Sequence, residues 1–422
     1  MSQKTIIAVI GGGSVFTPEL ITLLAENSAS FGPTEVRLFD IDVSRLTLVT
    51  DFCQRMLNKM GSEVKLIISS DRKSTLLEAD YVLIQLRQGG QEARIQDELL
   101  GKKYQIPFVE TISICGFATF LRTFYEFEGL AADIKQYAPQ AFVLNFSNPA
   151  GHLTEALYRM GLEKVIGVCN SWMGLQKSIT QYVDVKGDEL FMHYRGLNHL
   201  TVVDAAYNAA GENLVPSVIA ALPDEQDSFS LPSEIIRKLG VLPNHYLQYY
   251  FNNRAVVKKQ QVQEQVRSQK VQEINEILLE QYQELDFIPQ SLEERGGYGY
   301  SKTVVNIIKG IHCNEGSRHY AVVKNQGAIA FLPEDAFIET PVYVNRSGVY
   351  PICLPELPLF FQPLVFSIKQ YERVAIQGAF ERDRNTLLKA MLMHPLMNDY
   401  NISAPLLEEC LELNKEYLPE IQ

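Results

Sequence analysis

The chain has 422 residues, of which 46% are hydrophobic and 21% are charged, and its formal net charge is −12 at pH 7. This composition excludes bulk disorder, and the length allows two structural regions around a large core. The negative charge argues against nucleic acid or an anionic membrane surface as a partner, since both attract a positively charged protein face.

Targeting and cysteine usage suggest where the protein works. The first residues lack the pattern of a secretory signal, and no run reaches about 18 consecutive apolar residues. The six cysteines are scattered without any C-x-x-C pair, which is typical of a reducing compartment. We therefore expect a cytoplasmic protein without a membrane partner.

A glycine turn follows the first predicted strand. The apolar segment Thr5–Ile10 leads into Gly11-Gly12-Gly13-Ser14, after which Thr17 can cap a helix and Pro18 suits its first position. A strand, a glycine turn and a helix in this order point backbone N–H groups at a phosphate. Phe16 occupies the position of the third glycine in the usual dinucleotide fingerprint, so this motif is weak when taken alone.

The second predicted strand, Glu35–Asp40, ends in an acidic residue where a ribose hydroxyl needs an acceptor. Together with the glycine turn it predicts a dinucleotide site. Asp40 favours NAD over NADP because it would repel a 2′-phosphate, whereas the nearby Arg45 leaves NADP open. The predicted cofactor-binding residues are Gly11, Gly12, Gly13, Ser14, Phe16, Asp40, Arg45, Asn145 and Asn148.

Strands and helices alternate along the first part of the chain. Helical spacing covers Ser44–Met60 and is clearest again over Phe117–Tyr137. Strands separated by helices predict an α/β fold with a Rossmann-type, doubly wound parallel sheet and ligands at the carboxyl ends of its strands. The further predicted strands are Val64–Ile68, Tyr81–Leu86 and Ala141–Phe146.

From about Gly167 the pattern changes to a mixture of helices and strands. Cys169 follows a short apolar run, and His199 follows a second turn, so a thiolate and an imidazole could converge on one divalent metal. We predict an NAD-binding domain over 1–168 and a metal-binding, substrate-binding and oligomerisation domain over 169–422. The predicted elements here are strands Tyr194–Asn198 and Thr201–Ala206, a solvent-exposed helix Val256–Leu285, helix Ser301–Ile311, strand Tyr320–Lys324, short strands to Tyr350, and helices Phe360–Arg382 and Leu387–Tyr417.

Seven motifs occur in order between residues 11 and 329. They are Gly11–Leu20, Arg87–Gly90, Asn145–Gly151, Gly167–Asn170, Gly196–His199, Arg295–Gly297 and Asn325–Ile329. Any one of them would be unspecific, but in combination they resemble the NAD- and divalent-metal-dependent glycosidases of glycoside hydrolase family 4. The fold of that family resembles lactate and malate dehydrogenases.

The resemblance implies a chemistry that departs from the two-carboxylate mechanism of most glycosidases. In that family, bound NAD takes a hydride from C3 of the sugar, a base removes the proton on C2, and the glycosidic oxygen leaves from C1. Water then adds, and the hydride returns to C3. A divalent metal, expected to be Mn²⁺ with other divalent metals left open, would stabilise the enolate as a Lewis acid. By resemblance its protein ligands are Cys169 and His199.

The resemblance also implies catalytic residues. Tyr249 matches the base of the family, with Tyr246 and Tyr250 as alternates because repeated tyrosines allow a slip in the match. A phenol is a poor base at neutral pH and would need help from the metal or from Arg295. Asn170 follows the metal cysteine. Members acting on 6-phospho-β-glucosides tend to carry Asn there, and members acting on α-glycosides tend to carry Asp.

Arg87 and Arg295 are candidates for binding a sugar 6-phosphate, because a planar guanidinium matches two oxygens at once. Asn148 and Asn170 complete the predicted substrate-binding set. We therefore expect a 6-phospho-β-glucosidase that hydrolyses cellobiose 6-phosphate or aryl β-glucoside 6-phosphates. The apolar C-terminal helices and the family both suggest a homodimer or a homotetramer.

Other interpretations stay open at this point. Within the family the chain could be a 6-phospho-α-glucosidase, an α-galactosidase or a glucuronidase, since Gln85 and the loop Thr111–Phe117 depart from the pattern of the relatives. Outside it, a 2-hydroxy-acid dehydrogenase of the lactate/malate type would need no metal cysteine and would form NADH from its substrate. A non-catalytic NAD sensor is disfavoured, because it would have no need of Cys169, His199 and Tyr249.

Overall fold

The computed structural model describes residues 4–224, 226–297 and 299–422, so Tyr298, the last residue of a polar turn that the sequence predicts over residues 295–298, lies outside the described residues. In this part of the chain no helix is both long and apolar enough to cross a membrane. The strands are β1 (Thr5–Ile10), β2 (Thr34–Phe39), β3 (Lys65–Ile68), β4 (Tyr81–Ile84), β5 (Phe142–Asn145), β6 (Val165–Gly167), β7 (Phe191–Leu197), β8 (Leu200–Tyr207), β9 (Asp227–Ser228), β10 (Leu231–Pro232), β11 (Leu242–Pro243), β12 (Ser317–Lys324), β13 (Phe337–Asn345) and β14 (Gly348–Pro351).

The helices surround this sheet and connect its strands. Short 3₁₀ helices cover Gly187–Glu189 and His245–Leu247. The α-helices are α1 (Thr17–Glu26), α2 (Ser28–Phe31), α3 (Val43–Met60), α4 (Arg72–Leu76), α5 (Gly90–Lys103), α6 (Ser113–Tyr137), α7 (Ala150–Arg159), α8 (Ser171–Ile179), α9 (Val215–Ala220), α10 (Ser233–Leu239), α11 (Gln248–Phe251), α12 (Asn253–Gln261), α13 (Arg267–Glu284), α14 (Ser291–Arg295), α15 (Tyr300–His312), α16 (Gln362–Glu381), α17 (Arg384–Met393) and α18 (Tyr400–Leu413).

The first six strands form a parallel sheet in the order β3-β2-β1-β4-β5-β6. This is the strand order of the dinucleotide-binding fold, and it confirms the predicted Rossmann-type architecture. Because the strands run in the same direction, their carboxyl ends lie at one edge of the sheet. The glycine turn after β1, Asp40 after β2, Gln85 after β4 and the Cys169 segment after β6 all start from that edge.

The sheet continues beyond β6 as an antiparallel region. Gly167 of β6 pairs with Val322 of β12, and β13, β7, β8 and β11 then follow in that order. The predicted mixed region after residue 168 is therefore built onto the same sheet as the nucleotide-binding strands. This join lies next to Cys169 in the chain.

The core consists of two apolar clusters, and alternate residues of β1 belong to different clusters. Ile6, Ala8 and Ile10 pack in one, while Ile7 and Val9 pack in the other. Successive side chains of a strand point to opposite faces, so the clusters cover the two faces of the sheet. Every residue of β1 is buried, which explains why this strand reads as a continuous apolar run rather than an alternating one.

The prediction of one exposed helix over Val256–Leu285 is wrong in two respects. The segment forms two helices, α12 and α13, separated by a short break. Helix α13 also has a buried face, where the ring of Tyr282 stacks on that of Phe52 with 4.3 Å between their centroids. The apolar residues at helical spacing form an inner face despite the Gln/Glu-rich composition. The predicted helix Leu387–Tyr417 is likewise divided between α17 and α18.

Candidate active site

Two segments far apart in the sequence bring a thiol and an imidazole together. Cys169 follows β6, and His199 lies in the two-residue turn between β7 and β8; both are buried. The Sγ atom of Cys169 is 3.3 Å from Nε2 of His199. The hydroxyl of Ser171 is 3.3 Å and that of Tyr300 is 3.8 Å from the same sulfur. The two predicted metal ligands are thus in contact.

The position of His199 is fixed on several sides. Its backbone has φ +64°, in the left-handed region that a residue with a side chain adopts only when its surroundings hold it there. Its Nδ1 is 2.6 Å from the hydroxyl oxygen of Thr111. The ring of Tyr246 stacks on the imidazole, with the two centroids 3.9 Å apart. The ring therefore has one orientation, with Nε2 towards Cys169.

This pair of donors fits a divalent cation. Bond lengths of about 2.3 Å to sulfur and about 2.1 Å to nitrogen place two donors about 3.1 to 3.6 Å apart for angles of about 90° to 110° at the metal. The observed spacing of 3.3 Å lies in that range. Burial lowers the pKa of His199 to about 4, so the imidazole is neutral at physiological pH, as a ligand must be.

The number of donors also indicates the kind of metal site. Among the described residues, no group of three or more His, Cys, Asp or Glu side chains is arranged to hold a metal ion. A structural site would use four protein ligands, whereas a catalytic site keeps positions for substrate and water. With two protein donors, Cys169 and His199 would hold a cation that has several such positions.

A glutamate that sequence reasoning missed lies beside this pair. Glu339, on β13 opposite Gly196 of β7, is fully buried and accepts a hydrogen bond of 3.2 Å from the side-chain amide of Asn198. Its other carboxylate oxygen has no hydrogen-bond partner in the described part of the chain. Burial and the neighbouring Cys169 raise the pKa of Glu339 to about 8. The only sequence signal was a carboxylate within the apolar run of β13.

The glycine turn forms a close-packed cradle. Gly11 has φ +92°, and a Cβ atom there would lie 2.9 Å from the backbone of Gln85, so only glycine fits. The N–H of Gly13 donates to Asp40 Oδ2 at 3.0 Å, and Arg45 lies 3.6 Å from the other oxygen of Asp40. The structure thus brings Asp40 and Arg45 to the glycine turn, where both were predicted to meet the cofactor.

The start of helix α1 differs from the prediction in one detail. Thr17 does not cap the helix but is its first residue, and its hydroxyl donates to the carbonyl of Gly12 at 2.8 Å. Phe16 holds the capping position and supplies no side-chain acceptor; its own N–H lies 3.3 Å from the hydroxyl of Ser14. A helix start without a side-chain cap leaves backbone N–H groups available to an anion, which fits the pyrophosphate of a dinucleotide.

Two contacts tie this cradle to the segment that carries Arg295. The guanidinium of Arg295 lies 4.5 Å from the centre of the Phe16 ring, which also leaves no room for a side chain at Gly297. Glu19, buried in the first turn of α1, accepts hydrogen bonds from the N–H of Gly299 at 2.8 Å and the hydroxyl of Ser301 at 2.9 Å. Phe16 therefore has a packing role where the usual fingerprint has glycine.

The predicted asparagines have different surroundings. The side chain of Asn145 is buried within its own loop, where it donates to Thr154 and accepts from the N–H of Ser147. Asn148 has a buried side-chain oxygen without a hydrogen-bond partner among the described residues, so it can serve a ligand. Asn170 lies between Cys169 and helix α8. The contacts of the Asn145 side chain are thus structural.

The charges of three arginines act on one largely buried carboxylate, Glu110. Glu110 forms ion pairs with Arg87 and, at 3.3 Å, with Arg94. Burial opposes ionisation of Glu110, but the two guanidinium groups outweigh it and hold its pKa at about 2. Burial and the charge of Arg87 lower the pKa of Arg295 to about 9. Arg94 also pairs with Glu98 at 3.0 Å, so three guanidinium groups are offset by two carboxylates, and the excess positive charge suits a phosphate.

The three candidate tyrosines differ in their ring contacts, and one of them contacts His199. The Tyr246 ring stacks on it directly. The Tyr249 ring has its centroid 6.1 Å from that of Tyr246, and the Tyr250 ring packs near His394 and lines a small cavity together with His199. Burial raises the pKa of Tyr249 to about 12. Of the three, Tyr246 has the direct contact with the metal-ligand pair.

Comparisons with known proteins agree with this geometry. A family model described as "Family 4 glycosyl hydrolase" matches residues 6–185, and one described as "Family 4 glycosyl hydrolase C-terminal domain" matches residues 194–397. The chain is 33% identical to the 6-phospho-beta-glucosidase BglT of Thermotoga maritima, over 98% of this chain and 99% of that protein. It is 32% identical to a 6-phospho-beta-glucosidase of Escherichia coli, over 99% and 97% of the two chains.

Solved structures show the same similarity. The 6-phospho-beta glucosidase of Thermotoga maritima, solved with manganese, NAD+ and glucose-6-phosphate, superposes with a TM-score of 0.91 at 33% identity, covering 98% of this chain and 99% of that one. The malate dehydrogenase of Cryptosporidium parvum gives a TM-score of 0.55 at 14% identity, covering 90% of this chain and 100% of that one. The second match concerns the fold alone and confirms its dehydrogenase-like architecture.

Proposed function

Because the chain belongs to family 4 of the glycosyl hydrolases, we propose that it hydrolyses 6-phospho-β-glucosides such as cellobiose 6-phosphate or aryl β-glucoside 6-phosphates. The observation that carries this function is the 3.3 Å contact of Cys169 with His199. A lactate- or malate-type dehydrogenase has no use for such a thiol. The similarity to two 6-phospho-β-glucosidases over nearly the whole chain supports the same substrate class.

The reaction depends on two groups that this chain is built to hold. When bound, NAD supplies reversible hydride transfer at C3 of the sugar, and a divalent metal, proposed to be Mn²⁺, supplies Lewis-acid polarisation of the C2 and C3 oxygens. Cys169 and His199 would hold the metal. The glycine turn, the start of α1 and Asp40 would hold NAD.

Binding of the sugar phosphate falls to the arginine cluster. Arg87 forms an ion pair with Glu110, and the charge of Arg295 also lowers the pKa of this carboxyl, so Glu110 neutralises part of the cluster in the free protein. A phosphate dianion would compete with Glu110 for these donors, so phosphorylated sugars are favoured over neutral ones. Asn148, with its unsatisfied buried oxygen, is available to a sugar hydroxyl or to the nicotinamide amide.

Removal of the C2 proton needs a base near His199. Tyr246 is better placed than Tyr249, the residue expected from the resemblance, because its ring contacts the metal-ligand imidazole. Burial raises the pKa of both phenols, so neither is a base without a positive charge nearby. We therefore propose Tyr246 as the group that takes the proton, and Tyr249 as its neighbour in the pocket wall.

Asn170 supports the β-glucoside preference. An amide cannot protonate a leaving group as a carboxylic acid can, so expulsion of the aglycone has to rely on the acidity of the neighbouring C2 position and on water. This suits 6-phospho-β-glucosides by resemblance. An Asp at this position would favour α-glycosides instead.

A substrate panel tests the proposal. Chromogenic α- and β-glucosides, with and without a 6-phosphate, are incubated with NAD and Mn²⁺, and both product and NADH are measured. We expect cleavage of the 6-phospho-β-glucoside without net NADH, and loss of cleavage when a chelator removes the metal. Net NADH formation would indicate a dehydrogenase, and preferential cleavage of an α-glycoside would indicate the other branch of the family.

We further propose that the protein works as a homodimer or a homotetramer. Leu359 and Phe360, next to helix α16, are 78% and 62% exposed, and Phe366 on that helix is 46% exposed. Such a group of large apolar side chains on one helix end is unusual on a monomer surface. Light scattering on the purified protein would give the mass directly, and a monomeric mass would contradict this part of the proposal.

A further inference from the structure

We infer that Thr111 is a positioning residue for the metal site: its hydroxyl accepts the Nδ1 proton of His199 and so fixes the tautomer whose Nε2 lone pair faces Cys169. The inference rests on the proposed function, since it takes Cys169 and His199 as metal ligands. Thr111 itself touches neither the cation nor the sugar in this role. It acts through the imidazole.

The geometry of the imidazole supports this role. Its two nitrogens have separate contacts, Nε2 with the sulfur at 3.3 Å and Nδ1 with the Thr111 hydroxyl at 2.6 Å. A neutral imidazole carries one proton, and Nε2 can bind a cation only when that proton is on Nδ1. Metal-bound histidines generally donate the other N–H to a nearby acceptor, which orients the ring and raises its basicity. Thr111 is that acceptor here.

Thr111 is held in place by the backbone around it. It lies in a tight turn in which the N–H of Ile112 donates to the carbonyl of Val109 at 3.1 Å. Helix α6 packs so closely that a Cβ atom at Gly116 would lie 2.6 Å from the carbonyl of Thr111. The hydroxyl thus approaches His199 from a fixed position, so the hydrogen bond does not depend on a flexible loop.

The Thr111 hydroxyl also has space beside it for a partner to which it can donate a hydrogen bond. A cavity of about 30 Å³ lies beside Thr111 and His199, and Tyr250 and Glu372 also line it. This is enough space for one water molecule among polar groups. A threonine hydroxyl that donates to such a water can accept from Nδ1 at the same time, because it has one donor and two acceptor positions.

Thr111 and its neighbour serve different parts of the site. Glu110 pairs with Arg87 and Arg94, whereas Thr111 contacts His199. Loss of the threonine hydroxyl should therefore weaken metal binding and leave the preference for phosphorylated sugars unchanged. A general loosening of this segment would alter both properties, which separates the two explanations.

The test measures Mn²⁺ affinity rather than turnover. Metal-stripped full-length protein is titrated with Mn²⁺, and free Mn²⁺ is followed by electron paramagnetic resonance. Thr111→Val keeps the shape of the side chain and removes the hydroxyl; we expect its dissociation constant to rise about 10- to 100-fold. Thr111→Ser, which keeps the hydroxyl, should stay within about threefold of wild type. Thr50→Val is the matched control, because the buried hydroxyl of Thr50 bonds only a carbonyl of its own helix, at 2.7 Å.

Each outcome of the Mn²⁺ titration either supports or overturns the positioning role of Thr111. Wild-type affinity in Thr111→Val would overturn the inference, and so would equal weakening in Thr111→Ser, since packing rather than the hydroxyl would then be responsible. If Thr111→Val does not fold, as judged by circular dichroism, Thr111→Ala replaces it in the same comparison with Thr111→Ser. Wild-type protein that binds no Mn²⁺ would overturn the proposed function as well, whereas metal binding that is indifferent to Thr111 would overturn the inference alone.

Discussion

The phenol ring of Tyr246 lies nearly parallel to the imidazole of His199, with an angle of 10° between the ring planes. This contact makes Tyr246, rather than Tyr249, the tyrosine that packs against the metal-ligand turn. It gives the first prediction, which concerns the base.

Tyr246→Phe should lower kcat by about 10²- to 10⁴-fold, the usual effect of losing a general base, while Tyr249→Phe and Tyr250→Phe should lower it less than about tenfold. The measurement is kcat together with exchange of the C2 hydrogen for solvent deuterium. Exchange of the C2 hydrogen should be lost in Tyr246→Phe. If exchange survives in Tyr246→Phe and disappears in Tyr249→Phe, the original expectation for Tyr249 is right.

Cys169→Ser should abolish most activity while the fold persists. Serine is nearly the same size as cysteine, but its hydroxyl is a poor replacement for a thiolate ligand. Since Lewis-acid polarisation contributes several kcal/mol, we expect a loss of about 10³-fold at saturating substrate. Parallel hydrolysis and Mn²⁺ titrations would check this. Ser171→Ala, next to the sulfur but not a proposed ligand, is the control, and unchanged Mn²⁺ binding by Cys169→Ser would refute the ligand assignment.

Arg295→Lys should weaken discrimination between phosphorylated and plain substrates. Lysine keeps the charge but loses the planar pair of donors and the stacking on Phe16. We expect KM for the 6-phospho-β-glucoside to rise about tenfold, with little change for any residual activity on the plain glucoside. Arg346→Lys, at an exposed position, is the matched control. Equal KM changes for both substrates would argue against a phosphate contact.

Glu339→Gln should change how stability depends on pH in the metal-free protein. The pKa of Glu339 in the folded protein, about 8, lies above its ordinary value of about 4.5, so the folded protein holds a proton that the unfolded chain releases. That proton favours folding fully below about pH 4.5, and its contribution is lost as the pH rises through 8. Between these values the slope for one such proton is about 1.4 kcal/mol per pH unit.

Thermal unfolding at several pH values in the presence of a chelator measures this slope. Wild-type protein should lose more stability between pH 6 and 8 than Glu339→Gln, because the amide cannot ionise. Parallel curves for the two proteins would mean that Glu339 is ionised when folded. Asn198→Asp, which replaces the amide donor to Glu339 with a second carboxylate, should make the loss steeper.

Much of the nucleotide-binding half follows from local sequence patterns. The predicted bounds of β1 are those observed, because six consecutive apolar or β-branched residues end sharply at a glycine turn. The predicted alternation of strands and helices is confirmed by the parallel strand order. Both features are governed by residues close together in the chain. Thr17 shows the limit, since a capping residue and a first helical residue look alike until the hydrogen bonds are known.

The catalytic half depended on resemblance, because its contacts are non-local. Nothing within either segment reveals that Cys169 and His199 meet. Glu339 was missed, and Thr111 was named only as part of a loop that departs from the relatives, because the partners of both residues are set by strand pairing and loop packing. The inner face of α13 was missed for the same reason. Tyr282 is buried by a ring from α3, more than 200 positions earlier in the chain. The substrate-binding and catalytic assignments themselves stay predictions.

The pairing of Gly167 on β6 with Val322 on β12 has a consequence for how substrate enters. Strand β6, which ends two residues before Cys169, pairs with β5 on one side and with β12 on the other. The two predicted domains therefore share one sheet and cannot separate by a hinge motion without breaking it. We therefore expect substrate to enter through movement of the loops and short helices at the edge of this sheet. For the same reason, cutting the chain after residue 168 would leave two fragments with unpaired strand edges. These fragments should fold only when they are produced together.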